Sequence, residues 1–183
     1  MARLPIINPE KSTGKVHDLL NVVKKKLGLV PNMTRVMANS PAVLEAYLGF
    51  SGALESGSLD AKSRERIALE TAEANQCEYC LSAHSAIGKL VGLSEADILD
   101  SRQARAADAK PEAALHFSRL VIEKRGAVSK ADFDTARKAG LTDGEIAEVV
   151  ALTVLNIFTN YFNIAFQVEV DFPKVAPARH AAA

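Results

Sequence analysis

The chain has 183 residues, 48% of them apolar and 24% charged, and 22 lysines plus arginines balance 22 aspartates plus glutamates. That is the mix of one soluble globular domain with a sizeable core. It lacks the basic footprint of a nucleic-acid binder, and with no tryptophan and few aromatics it offers no stacking platform for bases.

The predicted elements are helices joined by short connectors, and a single domain spans residues 1–183. Residues 1–13 read as an N-terminal extension. They carry no apolar stretch with a small-residue cleavage site, so no signal peptide is expected. Val16, Leu19, Leu20, Val23 and Leu27 mark an amphipathic helix that Gly28 stops, with Lys24-Lys25-Lys26 on a solvated face. Pro31-Asn32 opens a short helix through Met37. Ser40-Pro41, an N-cap serine with proline at the first helical position, opens another that runs to Glu55. Asp60 caps a helix carrying Ile67, Leu69 and Ala72 inward. Ala74–Gln76 reads as a break, and a further helix starts at or near Cys77 and ends at Gly92.

Ser94 and Asp97 form a capping pattern for a short helix through Leu99. Residues 101–110, small and polar and followed by Pro111, are the expected loop. Glu112–Lys124 is amphipathic and closed by Gly126. Ser129 caps a segment to Lys138, with Gly140 after it. Thr142 and Glu145 make a capping box for a long apolar helix through Phe166. Val168–Phe172 is too short a run to argue for a sheet, and the proline- and alanine-rich stretch 173–183 reads as a flexible tail. The helix–break–helix of 58–92 is echoed by 129–166, which suggests duplicated helical hairpins. The apolar runs read as short of a membrane span, so the expected location is the cytoplasm, where thiols are kept reduced.

Both cysteines stand in Cys77-Glu78-Tyr79-Cys80-Leu81-Ser82-Ala83-His84. On a helix, offsets of three and seven residues place all three side chains on one face. Cysteines three apart on a helix have Cα atoms roughly 5–6 Å apart, inside the window for a disulfide. A helix N-terminus, a partner thiol and an imidazole one turn away each favour the thiolate. A peroxide attacked by one sulfur leaves a sulfenic acid, which the other can condense to a disulfide. Glu65, Glu70 and Glu73 on the preceding helix are the candidate acids for a relay through His84, and spacing alone does not choose among them. A zinc site would have three ligands in Cys77, Cys80 and His84 and would need a fourth such as Glu65. His17 and His180 read as solvated and His116 as structural. Asn156, Asn160 and Asn163 recur at helical spacing on an apolar helix. Their expected role is hydrogen bonding at a helix end or a wet subunit contact, with lining of the thiol cavity as the sharper alternative.

The stretch from Arg64-Glu65-Arg66 to Cys77-Glu78-Tyr79-Cys80-Leu81-Ser82-Ala83-His84 resembles the signature of alkylhydroperoxidase D-like (AhpD-like) proteins of the carboxymuconolactone decarboxylase superfamily: a glutamate, eleven residues, CxxC, three residues, histidine. Leu29-Val30-Pro31-Asn32, Ser40-Pro41-Ala42-Val43-Leu44 and 156–163 are similar to segments of its uncharacterised branch. The resemblance implies an all-α AhpD-like domain assembled as trimers or hexamers and thiol-dependent reduction of small hydroperoxides. It implies Cys80 as the peroxidatic thiol and Cys77 as the resolving one, a redox-active Cys77–Cys80 disulfide in place of a cofactor, and Glu65 with His84 as the proton relay. The reductant it implies is a thiol, such as a lipoylated or thioredoxin-like protein. Tyr79 departs from the family's peroxidase pattern, which has a second histidine there. Two other readings stay open: a non-redox decarboxylase-like enzyme using His84 and Glu65 as acid and base, and an oligomeric redox sensor.

Overall fold

The structure, a computed structural model, describes residues 2–178; His180 lies outside the described residues. Helix starts fall where side chains can satisfy the first orphan N–H groups. Asp60 caps through the Ser63 N–H, and Ser94, Ser129 and Thr142 each form a reciprocal capping box with the acid three residues on. The helices are α1 Gly14–Leu27, α2 Asn32–Met37, α3 Pro41–Glu55, α4 Ala61–Ala74, α5 Glu78–Leu90, α6 Glu95–Arg102, α7 Ala109–Glu123, α8 Lys130–Lys138 and α9 Asp143–Phe166. Among the described residues there is no strand, so the domain is all-α.

Two boundaries differ from expectation. Helix α6 continues to Arg102 and α7 already starts at Ala109, so the expected loop shrinks to 103–108. Pro111 does not break α7 because it sits in the first turn, where its missing N–H has no helical partner to lose.

Helices α4 and α9 cross the middle of the molecule. Helix α4 packs on α5, α6, α7 and α9, and its residues from Ile67 to Glu73 are all buried. Three apolar clusters surround the pair. Leu115, Phe117 and Val149 lie between α4, α7 and α9; Leu69, Leu81 and Ile98 lie around α5; Leu20, Met37 and Leu44 hold α1–α3 together. Each such side chain contributes roughly 1.5–3 kcal/mol by leaving water. Helix α9, contrary to the sequence expectation, is long and apolar enough to cross a membrane by length and composition. It is instead the core helix, and it carries six buried polar side chains, Glu145, Thr153, Asn156, Thr159, Asn160 and Asn163. The α4–α5 and α8–α9 units are both helix–turn–helix, though α8 packs on α7 as well as on α9.

The buried acids of α4 are spoken for. Glu70 accepts from Arg119 Nε at 2.6 Å and from the Ser118 hydroxyl at 2.9 Å. Glu73 accepts from Arg102 Nε at 2.6 Å and from the Ala178 N–H at 2.7 Å. The second of these belongs to a strap over 173–178, the first part of the expected tail; residues 179–183 lie outside the described residues. Val175 N–H donates to Ser82 Oγ and Arg102 Nη2 to the Ala176 carbonyl, both at 2.9 Å, so the chain is held as far as Ala178. The N-terminal extension is held too, by Arg3 N–H on the Phe166 carbonyl at 2.8 Å and Arg35 Nε on the Ile7 carbonyl at 2.9 Å.

Candidate active site

The turn between α4 and α5 places the thiols. Gln76 adopts φ 55°, a left-handed conformation uncommon for a residue with a Cβ. Its amide donates to the Glu73 carbonyl at 2.8 Å, and the Cys77 N–H donates back to Ala72 at 2.9 Å. The chain thereby reverses within three residues. Cys77 is then the N-cap of α5, with extended backbone, and its sulfur accepts the Cys80 N–H at 3.3 Å. The expectation that Cys77 shares a helical face with Cys80 and His84 is corrected: only the latter two lie within α5, one turn apart.

Glu65, not Glu70 or Glu73, meets the histidine. Its carboxylate lies 2.7 Å from His84 Nδ1, and the two side chains are 16% and 22% exposed. Burial alone would pull the imidazole down, but the charge and hydrogen bond of Glu65, then the negative charge at Cys80, raise it above 6.5. His84 acts on Cys80 in turn as a positive charge.

Cys80 is 2% exposed and lines a cavity. Burial raises its thiol. The Cys77 thiol, the charge of His84 and the amides of Asn163 and Asn160 outweigh that and bring it down to about 7. Cys77 moves the other way, held up first by its hydrogen bond to Cys80 and then by burial. One sulfur is therefore poised to be the anion and the other to keep its proton. Asn163 Nδ2 lies 3.3 Å from Cys80 Sγ. The sharper alternative, lining of the thiol cavity, holds for Asn163 and for Asn156 and not for Asn160.

The cavity, about 240 Å³, is walled by apolar side chains of α1, α3, α4, α5 and α9, among them Val23, Leu48, Ala68, Ile87, Leu152 and Leu155. Cys80, His84, Glu65, Asn156 and Asn163 line it, as do Arg64 and the exposed ion pair Lys26–Glu55. Tyr47 also lines it and was not singled out in the sequence. Its hydroxyl is pushed up to about 12 by burial, then by the charges at Cys80 and Glu65, and stays neutral. A lone tyrosine on an amphipathic helix carries no sequence signal that separates this role from packing. Tyr79 accepts the Met33 N–H at 3.1 Å and packs edge-on to Phe172 with ring centroids 5.9 Å apart. Burial first, then Asp171 and Cys80, raise its hydroxyl. It ties α5 to α2 and the C-terminal strap. Among the described residues no group of three or more His, Cys, Asp or Glu side chains is arranged to hold a metal ion.

An all-helical domain with a paired thiol site opening on an apolar cavity defines the class: a helical thiol protein with the AhpD-like fold. Residues 41–123 match the carboxymuconolactone decarboxylase family. The fold is similar to that of a peroxidase-related protein from Ralstonia eutropha JMP134 with an alkylhydroperoxidase AhpD core (26% identity, 93% of this chain and 92% of that one, TM-score 0.79). It is also similar to a peroxidase-related protein from Silicibacter sp. TM1040 (24% identity, 91% and 88%, TM-score 0.79). In fold alone it is similar to a debrominase solved with 2,3,4-tribromopyrrole (18% identity, 93% and 92%, TM-score 0.76). An uncharacterised protein of Haemophilus influenzae is 48% identical over 46 residues, a match spanning 25% of this chain and 41% of that protein's length. Over residues 41–123 and in fold, the chain is similar to AhpD-like proteins of the carboxymuconolactone decarboxylase family.

Proposed function

We propose that the chain is a thiol-dependent reductase of organic hydroperoxides, with Cys80 attacking and Cys77 resolving. One observation carries this reading: Cys80 lines an apolar cavity with a second thiol, an amide and a Glu65-backed imidazole around it, and its thiol is lowered to about 7. At neutral pH about half of such a thiol is thiolate, against about 3% for an ordinary one near 8.5.

The Cys80 thiolate attacks the terminal oxygen of R–O–O–H. The O–O bond breaks, sulfur is oxidised to the sulfenic acid, and the alkoxide leaves with the proton of the His84 imidazolium as R–OH. Glu65 keeps that imidazole protonated and oriented beforehand. The Cys77 thiol then condenses with the sulfenic acid, forming the disulfide and releasing water. An external dithiol returns two electrons and two protons. Apolar walls favour an organic hydroperoxide over hydrogen peroxide, because burial of its carbon skeleton adds to binding. A lipoylated or thioredoxin-like protein is the expected class of reductant, and the reducing cytoplasm the expected setting.

Val154, Phe158, Tyr161 and Ile164 form an exposed apolar stripe on one face of α9, which supports assembly into a homo-oligomer. Light scattering on the purified protein tests this, and a monomer at micromolar concentration refutes it.

Peroxide consumption with a dithiol reductant tests the chemistry. Cys80→Ser abolishes turnover, and Cys77→Ser permits at most one equivalent. Multiple turnovers in Cys77→Ser, or an activity on a carboxylated lactone that survives replacement of both cysteines, would overturn the proposal.

A further inference from the structure

Two buried amides on α9 bear on the Cys80 sulfur, Asn163 by direct contact. Asn163 is 3% exposed and Asn160 fully buried. Asn163 Nδ2 is 3.3 Å from both Cys80 Sγ and Met33 Sδ. Asn160 is oriented from its other end: Asn75 Nδ2 donates to Asn160 Oδ1 at 3.0 Å and to the Thr71 carbonyl at 3.0 Å. With its carbonyl held by the α4–α5 turn, Asn160 keeps a buried Nδ2 that has no hydrogen-bond partner among the described residues, and it adds to Asn163 in lowering the Cys80 thiol. Among the described residues Asn163 Oδ1 likewise finds no hydrogen-bond partner. A buried amide left so poorly paired with a neutral thiol costs free energy, since S–H is a weak acceptor. A thiolate in the same place is a strong acceptor and repays the arrangement.

We propose that Asn160 and Asn163 form an anion cradle for the Cys80 sulfur, with Asn75 as the positioning residue that locks the Asn160 amide. Asn160 is the fixed donor. Asn163, unrestrained at its oxygen, can turn end for end: Nδ2 faces a thiolate, and Oδ1 receives the O–H of the sulfenic acid. This rests on the reading of Cys80 as the attacking thiol, but the cradle is measurable without peroxide. The other groups facing Cys80 are the Cys77 thiol, His84 with Glu65 behind it, and the hydroxyls of Tyr47 and Tyr79. The substitutions below leave all of them in place.

The full-length reduced protein is alkylated with iodoacetamide from pH 5 to 10, and the Cys80 peptide is followed by mass spectrometry. Asn160→Leu and Asn163→Leu, which keep the volume and remove the donor, each raise the midpoint by about one pH unit, or about tenfold in rate at pH 6. The rate at pH 10, where wild type and variants are all thiolate, does not fall. A loosened fold would instead speed alkylation at every pH. Asn163→Asp, closer still in shape, raises the midpoint as well, and Asn75→Ala raises it by less than Asn160→Leu. An unchanged midpoint in a folded Asn163→Leu or Asn163→Asp protein overturns the cradle. Shifted midpoints with no peroxide consumed by wild type keep the cradle and sink the peroxidase reading; unchanged midpoints with brisk consumption do the reverse.

Discussion

Glu65→Gln isolates the electrostatic part of the site. The carboxylate lies 2.7 Å from His84 Nδ1, and an amide there keeps a hydrogen bond while removing the charge. Without that charge, burial dominates and the imidazole falls below 6.5, so it is neutral at pH 7. Cys80 then loses a positive neighbour that helps hold it at about 7, while the Cys77 thiol and the asparagine amides remain. Full return to an ordinary thiol near 8.5 would reduce the thiolate fraction at pH 7 about sixteenfold, or ~1.6 kcal/mol. With the other contacts intact, a three- to tenfold loss is expected. Alkylation of Cys80 as a function of pH reads the midpoint, and the imidazole carbon shifts in NMR read the charge of His84. A Cys80 midpoint unmoved while His84 is shown to be neutral would refute the coupling, and with it the role given to the Glu65–His84 pair.

Other expectations concern stability. Glu70→Ala strips a buried carboxylate from Arg119 and Ser118 and costs about 3 kcal/mol in urea unfolding; less than 1 would show that the network relaxes. A Cβ on Gly57 would sit 2.7 Å from the Glu148 carboxylate, which accepts the Ser58 and Leu59 N–H groups. Gly57→Ala therefore displaces that cap and destabilises by roughly 1–2 kcal/mol, and a wild-type urea midpoint would contradict this. The pH dependence has two opposing signs. Cys80, lowered in the folded state, contributes stability that is present above its unfolded value and is lost as pH falls toward 7. Cys77 and Tyr79 are raised, so the unfolded chain sheds their protons first and stability falls above about pH 8.5 and 10 respectively. Tyr79→Phe should flatten the alkaline limb above pH 10, and an unchanged slope there would argue against a buried, neutral hydroxyl.

Local chemistry in the sequence determined a great deal. Capping boxes, Gly28, Pro41 and the break before Cys77 act within a turn of the residues they control, so most helix ends and the CxxC–xxx–His motif were legible directly. Pro111 misled because its effect depends on where in a turn it falls. The length of α9 misled because apolar helices of that size serve equally as cores. Tertiary structure alone decided the rest of the site. The family resemblance already pointed to Glu65, and the chain reversal at Gln76 supplies the physical reason: Glu65 meets His84, while Glu70 and Glu73 meet Arg119 and Arg102. That reversal made Cys77 a cap and not a member of the helical face. It also brought Tyr47 of α3 and the asparagines of α9 to a sulfur more than thirty residues away in sequence. Contacts at such separations are set by which faces must be buried together, and no pattern within a single helix records its partner.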